Sequence, residues 1–232
     1  MSAAEFNKLN NIIRHGKKNI VFLFFILLTL VPSQQMAKSF VDEAMIVRLN
    51  QEYGSQAKKR GQALNALLKK LADKSINEKL TEVNRFFNQF EYKEDINLWK
   101  QKDYWATPEE FIGLSAGDCE DFVVAKYFAL RSIGVPDKRL YLTYVKALKQ
   151  NVAHMVLSYF ATPKSIPLIL DNYNPKILSA SNRRDLLPVY SFNAKSLFLT
   201  NASAGLGRSL PTDKIKNNKW QKLLADMKRS NQ

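Results

Sequence analysis

Hydrophobic positions return with a helical period over the first part of the chain. In residues 42–72 the apolar side chains recur every three or four positions, which predicts one or two helices with a break near Gly54 or Gly61. Ser75, with a glutamate three positions later, has the pattern of a capping box. This pattern predicts a further helix that starts after Ser75 and ends near Phe90.

A nearly continuous apolar segment follows Asp118. Asp118 belongs to the residue types that cap a helix N-terminus, and Gly134 has the position of a C-terminal stop. Few polar positions lie between them, so this helix is expected to lie in the centre of the fold. A shorter helix is predicted to start at Thr107, with Pro108 at its first position.

Beyond residue 134 the period of the pattern changes from helical to alternating. The change predicts strands in residues 140–145, 152–160, 166–170 and 189–199. Short polar connections separate these segments, which favours an antiparallel meander. Helices followed by strands are typical of the α+β class, and the sheet is expected to pack on the helix that follows Asp118.

The N-terminus has the organisation of an export signal. Four basic residues precede an uncharged run at 20–31, which is too short for a spanning helix and fits the core of a signal peptide. Residues 1–37 are therefore predicted to be a signal peptide, with an uncleaved anchor as the alternative. The rest is predicted to comprise one domain at 38–204 and a basic tail at 205–232 with a short amphipathic helix.

The charge of the chain is strongly positive. The formal net charge is +14, and the predicted leader accounts for three of these charges, so that +11 remains. Such a charge raises the question of nucleic-acid binding. The basic residues are scattered, with no aromatic-interleaved stripe and no zinc-finger spacing, and an exported protein meets little nucleic acid. Contact with an anionic surface or an acidic partner is the favoured interpretation.

One cysteine and one histidine lie outside the predicted leader. An exported protein that uses cysteine in disulfides carries an even number of them, so Cys119 is either a small buried apolar residue or a reactive thiol. At the start of a helix the thiol meets the positive end of the helix dipole, which favours the thiolate. His154, in a predicted strand, can take the proton from this thiol.

The strand positions suggest how a catalytic triad would assemble. Alternation puts His154 on the face that it shares with Val152, Val156 and Ser158, and the thiol and the imidazole can meet if this face packs on the helix of Cys119. Asp171 ends the following strand, and adjacent antiparallel strands bring it beside His154. Cys119, His154 and Asp171 are therefore the candidate triad of a thiol hydrolase. Each also has an ordinary interpretation, as an inert helix residue, a core histidine and a turn cap respectively.

Five short segments, in this order, together resemble one protein family. They are Trp105-Ala-Thr-Pro-Glu-Glu, Gly117-Asp-Cys-Glu-Asp-Phe122, Ala153-His-Met-Val-Leu157, Leu170-Asp-Asn172 and Tyr190-Ser-Phe-Asn193. From about residue 84 to residue 199 the chain resembles the bacterial transglutaminase-like cysteine proteinases of the LapG type. The combination of motifs is specific, whereas any one of them alone would be weak.

The resemblance implies a papain/transglutaminase-like core with Cys119, His154 and Asp171 as catalytic residues. It implies a periplasmic, calcium-dependent endopeptidase that cleaves the N-terminal region of a large surface adhesin and so promotes biofilm dispersal. It also implies a partner, an inner-membrane receptor for cyclic di-GMP that sequesters the protease. Two alternatives stay open: a transglutaminase or amidase acting on cell-wall peptides, and an inactive binding module of the same fold.

Three carboxylates, those of Asp118, Glu120 and Asp121, flank the candidate nucleophile. Acids in the first turn of a helix ordinarily complement its dipole. Here they would also raise the pKa of the thiol, so a divalent cation that neutralises them is the favoured hypothesis. Oxygen ligands fit calcium, and the calcium dependence implied by the resemblance points to the same three acids. Asp118 and Asp121 share one side of the helix, whereas Glu120 must approach the ion differently.

Overall fold

A computed structural model describes residues 39–193, 196–201, 205–210 and 218–229 of the chain. The predicted signal peptide at 1–37 lies outside these residues. None of the helices in the described ranges combines the length and the hydropathy that a membrane span requires.

The helices occupy mainly the first half of the described chain, as predicted. They are α1 (Glu43–Tyr53), α2 (Ser55–Leu71), α3 (Ile76–Phe87), α4 (Asp95–Leu98), α5 (Pro108–Leu114), α6 (Cys119–Ser132) and α7 (Asn218–Arg229). The predicted break falls at Gly54, whose φ of 83° is a left-handed value that favours glycine. Gly61 lies inside α2, where an added Cβ would stand 2.6 Å from Cδ1 of Leu49, so α1 and α2 pack closely there.

The predicted helix starts are confirmed by their caps. Ser75, Thr107 and Asp118 are each the N-cap of a helix, and each forms a capping box with the third helical residue. Pro108 stands at the first position of α5. These caps involve residues that are close in sequence, which is why the sequence predicts them well.

The strands form a small parallel pair and a large antiparallel sheet. The pair consists of β1 (Glu91–Tyr92) and β2 (Ala116–Gly117). The large sheet contains β3 (Leu140–Ala147), β4 (Val152–Tyr159), β5 (Leu168–Leu170), β6 (Leu178–Ser179), β7 (Leu186–Phe192), β8 (Leu197–Asn201) and β9 (Gly205–Leu210). Its strand order is β6-β5-β4-β3-β7-β8-β9, so β3 lies at its centre.

The order of the large sheet corrects the predicted meander. Strands β3 to β6 follow one another across the sheet, but β7 returns to the other edge of β3, and β8 and β9 continue from there. The single segment predicted at 189–199 is a hairpin of two strands, β7 and β8. Alternation within a strand does not indicate which other strand it pairs with. The pattern alone therefore does not distinguish a simple meander from the observed strand order.

The segment predicted as a tail packs on the domain. Strand β9 lies beyond the expected boundary at residue 204 and pairs with β8. The predicted amphipathic helix is α7, and its Trp220 is fully buried against Tyr127, Phe128 and Phe192. The folded unit therefore extends past the expected boundary, because contacts between segments far apart in sequence decide where a domain ends.

Helix α6 lies at the centre of the core. It packs against β3 and β4, and also against α3 and α5. Its buried side chains include Phe122 and Tyr127, but also the ionisable residues Asp121 and Lys126. The α+β class and the packing of the sheet on the cysteine-bearing helix are thereby confirmed.

Candidate active site

A cleft of about 300 Å³ lies at the N-terminal end of α6. Cys119 and His154 both line it, so two members of the candidate triad face the same space. Its other walls carry mainly acidic and aromatic side chains, namely Glu94, Asp95, Asp118, Glu120, Tyr92 and Tyr144. The cleft is therefore a place where a thiol, an imidazole and several carboxylates meet.

The turn before α6 sets the position of Cys119. Asp118 caps the helix, which makes Cys119 its first residue. Gly117 precedes the cap, and an added Cβ there would overlap Oδ2 of Asp121 and stand 2.8 Å from Cδ2 of Phe111. Only glycine fits this close approach without displacing its neighbours. The thiol is thus held at the positive end of the helix dipole.

The face of β4 that carries His154 is not the face that packs on α6. Val156, which shares its face by alternation, lies in a small cluster separate from the main core, whereas Met155 and Leu157 pack in the main core with α6. His154 reaches the cleft because the cleft lies at the end of β4. The consecutive residues Ala153 and His154, which point to opposite faces of the sheet, both line it.

His154 and Asp171 form a buried hydrogen-bonded pair. Nε2 of His154 lies 2.8 Å from Oδ1 of Asp171, and both side chains are fully buried. The ring of Tyr173 stacks on the imidazole, with centroids 4.0 Å apart and planes 4° apart. Nδ1 of His154 bonds to none of the described groups. With the proton on Nε2, Nδ1 is the free acceptor that a general base needs.

The carboxylate of Asp171 is held through both oxygens. Oδ1 also accepts from the backbone N–H of Tyr173 at 2.9 Å, and Oδ2 accepts from Nη2 of Arg183 at 2.7 Å. Burial by itself would raise the pKa of Asp171. The bonds from His154, Tyr173 and Arg183 outweigh burial, and the pKa is lowered. Asp171 is therefore an anion that can fix the tautomer of the imidazole.

Negative charge surrounds the thiol of Cys119. Sγ donates to Oε2 of Glu120 at 2.7 Å. Burial, followed by the charges of Glu120 and Asp118, raises the pKa of the thiol well above its usual value. The backbone N–H of Met155 lowers it, but does not compensate. This environment opposes thiolate formation unless the acids are neutralised.

The three predicted metal ligands separate into two groups. Asp118 and Asp121 lie with Asp95, each offering an oxygen within 4.8 Å of the others. Glu120 groups instead with Asp118 and with Cys119, the residue whose thiol it accepts. Asp118 therefore belongs to both groups, and Asp95 is a candidate ligand that the sequence pattern did not indicate.

The group of Asp95, Asp118 and Asp121 has the properties of a cation site. Oδ1 of Asp95 is buried without a hydrogen-bond partner among the described groups. Burial, followed by the charges of its acidic neighbours, raises the pKa of Asp118 to about 10. Burial also raises the pKa of Asp95 and of Asp121. Carboxylates that cannot all ionise together are a donor set that a hard divalent cation neutralises, so these residues fit calcium.

Three residues of the site were not selected from the sequence. Asp95 lies in the stretch between β1 and β2 where the hydrophobic pattern has no period, and nothing marks it there. Tyr173 follows Asp171 by two positions, within a turn, which was the one local signal available. Arg183 is one of two adjacent arginines and looks like ordinary surface charge until its burial is known.

The fold and the site together define a class of protein. A cysteine at the start of a central helix, packed against an antiparallel sheet, is the arrangement of the papain and transglutaminase-like cysteine enzymes. The model of the bacterial transglutaminase-like cysteine proteinase family matches residues 49–185, which is more than half of the chain. The chain belongs to this family, and the family is one of cysteine proteinases.

Solved structures of Legionella pneumophila LapG are similar to this chain. The calcium-bound form is 44% identical, with a TM-score of 0.68, and the match covers 78% of this chain and 97% of that one. The EGTA-treated form has the same identity and a TM-score of 0.67, and the match covers 78% and 95% of the two chains. No curated protein sequence gives a significant match. The likeness spans nearly all of LapG, so the two proteins share their fold.

Proposed function

We propose that the chain is a calcium-dependent periplasmic cysteine endopeptidase in which Cys119 is the nucleophile, His154 the general base and Asp171 the residue that orients the imidazole. One observation carries the proposal. Nε2 of His154 bonds to Asp171 at 2.8 Å, and Nδ1 is left without a partner among the described groups, on a residue that lines the same cleft as Cys119. An inactive binding module would have no need for this arrangement.

In the proposed reaction Nδ1 of His154 accepts a proton twice and gives it up twice. It takes the proton from the Cys119 thiol as Sγ bonds to the peptide carbonyl carbon, and Asp171 stabilises the imidazolium that forms. The imidazolium then gives this proton to the leaving amine. Nδ1 next takes a proton from water as the water oxygen bonds to the thioester carbonyl carbon. The C–S bond breaks, the acid product leaves, and Nδ1 returns the proton to Sγ of Cys119. The backbone N–H of Cys119, at the start of α6, is the expected donor to the oxyanion.

Calcium would be held by Asp95, Asp118 and Asp121, with Glu120 as a further candidate beside Asp118. When bound, the ion supplies positive charge that neutralises these acids. In its absence, Glu120 and Asp118 raise the pKa of the Cys119 thiol, and Oε2 of Glu120 accepts a hydrogen bond from the protonated thiol. These residues therefore explain why activity should depend on the ion. The calcium-bound form of LapG, a protein 44% identical to this chain, supports the assignment.

The proposed substrate is the N-terminal region of a large surface adhesin, whose cleavage releases the adhesin and promotes biofilm dispersal. The proposed partner is an inner-membrane cyclic di-GMP receptor that sequesters the protease. Family membership and the likeness to LapG support both. The basic, then apolar, pattern of residues 1–37 supports export to the periplasm. N-terminal sequencing of protein from a periplasmic fraction tests the export, and recovery only from cytosol would contradict it.

The proposal is tested by incubating the purified protein with an N-terminal adhesin fragment. Cys119→Ala and His154→Ala are expected to abolish cleavage with the fold retained by circular dichroism, and Asp171→Asn to reduce it less. Chelation should stop cleavage, calcium should restore it, and magnesium should not. Full cleavage by the Cys119→Ala protein, or indifference to chelation, would refute the corresponding part of the proposal.

The same experiment separates the alternative functions. Incorporation of a labelled amine into the fragment would indicate a transglutaminase, and release of cell-wall peptides from peptidoglycan would indicate an amidase. Binding of the fragment without turnover would indicate a binding module. The proposed endopeptidase predicts one discrete cut and neither of the other products.

A further inference from the structure

Asp171 makes a contact that the proposed reaction does not itself require. Its Oδ2, the oxygen turned away from His154, accepts from Nη2 of Arg183 at 2.7 Å. The side chain of Asp171 is fully buried and that of Arg183 is 2% exposed, so the pair lies out of water. Burying two charges is costly, and a contact that served only to tether a surface loop would not need it.

Arg183 is in turn fixed by a second carboxylate. Its Nε donates to Oδ1 of Asp185 at 3.0 Å and its Nη2 to Oδ2 at 2.8 Å. Asp185 is partly exposed, with 32% of its side chain accessible to solvent. It therefore lies between the buried pair of Asp171 and Arg183 and the protein surface. Nη1 of Arg183 is buried and bonds to none of the described groups. Among those groups, the guanidinium is therefore held by the two carboxylates.

We infer that Arg183 is a positioning residue of the proposed triad, holding the Asp171 carboxylate so that Oδ1 faces His154. The inference rests on the proposed function. The division of the two oxygens supports it: Oδ1 serves His154 and the backbone N–H of Tyr173, while Oδ2 serves Arg183. Without the guanidinium, Oδ2 is a buried acceptor with no donor, and the carboxylate must rotate or take up a proton to satisfy it.

A second buried basic side chain, that of Lys126, lies nearby but does not replace Arg183. Lys126 interacts electrostatically with Asp171, yet its Nζ donates to Oδ1 of Asn88 at 2.7 Å. Asn88 holds the backbone carbonyl of Asp171, not its carboxylate, at 2.8 Å. Arg183 is therefore the side chain in direct hydrogen-bond contact with the carboxylate on the side opposite His154.

The composition of the chain permits a test that needs no peptide substrate. Cys119 is the one cysteine of the sequence, so the rate of its alkylation by iodoacetamide reports the thiolate that His154 supports. The chain has two histidines, and the ¹⁵N signals of His154 report its tautomer once those of His15 are identified by His15→Gln. Both measurements are made on the full chain with calcium present.

In the Arg183→Met protein, alkylation is expected to slow by about 10- to 100-fold, since small displacements of a catalytic group cost this much. Its His154 signals should show a mixture of tautomers instead of one. The matched control is Arg184→Met, which changes the exposed neighbouring arginine and should keep the rate of the unmodified chain. Asp185→Asn removes the outer support of Arg183 and should slow alkylation by less than Arg183→Met.

Two further comparisons make every outcome decisive. If His154→Ala and Asp171→Asn leave alkylation unchanged, the proposed triad fails. If they slow it while Arg183→Met has the rate and the single tautomer of the unmodified chain, the inference about Arg183 alone fails. Should Arg183→Met not fold, the same two measurements are made on Arg183→Lys and Asp185→Asn. Normal alkylation rates of Cys119 and a single His154 tautomer in both variants would overturn the inference.

Discussion

Lys126 is expected to make the stability of the fold depend on pH. Its side chain is fully buried in α6, where burial lowers its pKa from 10.5 to about 7, and the charge of Asp171 only partly opposes this. The unfolded chain keeps this proton up to the ordinary pKa. Between about pH 7 and pH 10.5 the unfolded state therefore binds more protons than the folded state. The contribution of Lys126 to the free energy of unfolding therefore rises with pH across this window, and this gain is lost as the pH falls towards 7.

The expected magnitude follows from the two pKa values. Each pH unit within the window adds about 1.4 kcal/mol to the free energy of unfolding, or about 5 kcal/mol over the whole window. Between about pH 7.5 and pH 9 the increase is about 2 kcal/mol. Lys126→Met is expected to remove this pH-dependent increase. The substitution also leaves Oδ1 of Asn88 without its donor, at a cost of about 1–3 kcal/mol, but this cost is the same at every pH.

The measurement is urea unfolding at several pH values in this range, with saturating calcium. All chains carry Cys119→Ala, which removes the thiol titration and any self-cleavage. At each pH the measurement gives a free energy of unfolding, and its slope against pH is compared between chains with and without Lys126→Met. The contributions of the other titrating groups cancel in this comparison. Lys70→Met, at an exposed position of α2, is the matched control and should not change the slope. Parallel pH dependences with and without Lys126→Met would refute the reasoning, because they would mean that Lys126 keeps its charge in the folded protein.

Three further predictions concern the metal group, the C-terminal helix and the turn before the nucleophile. Asp95→Asn should weaken calcium binding by about 10- to 100-fold in calorimetric titration, since it removes one anionic ligand, whereas Asp73→Asn, at an exposed acid, should not; equal affinities would exclude Asp95 as a ligand. Trp220→Ala should lower the free energy of unfolding by about 3–5 kcal/mol in urea, and a loss below about 1 kcal/mol would mean that α7 does not belong to the core. Gly117→Ala should abolish calcium-dependent cleavage because its Cβ displaces the Asp121 carboxylate, and normal activity would show that the turn tolerates a side chain.

Local chemistry determined the helices and the class of the fold. The caps at Ser75, Thr107 and Asp118 join residues within one helical turn, so the sequence alone specifies where these helices start. Cys119 at the start of α6 follows from the same local rule. The change from helical to alternating period indicated α+β, and the motifs around Cys119 and His154 indicated the family that the comparison with known proteins then identified.

Tertiary contacts decided which residues meet at the site. Alternation predicted the face of β4 that carries His154, but not that the cleft lies at the end of this strand, where both faces are accessible. Helical spacing already separated Glu120 from the other two acids around Cys119, but it indicated no ligand from another segment. Packing placed Asp121 with Asp95 from a segment without period, and left Glu120 on the thiol. Periodicity describes how one segment faces the core, whereas burial, charge pairing and pKa depend on neighbours from distant segments. That physical difference is why the sequence indicated Cys119, His154 and Asp171 as candidate residues but did not indicate Asp95, Tyr173 or Arg183, which lie beside them in the structure.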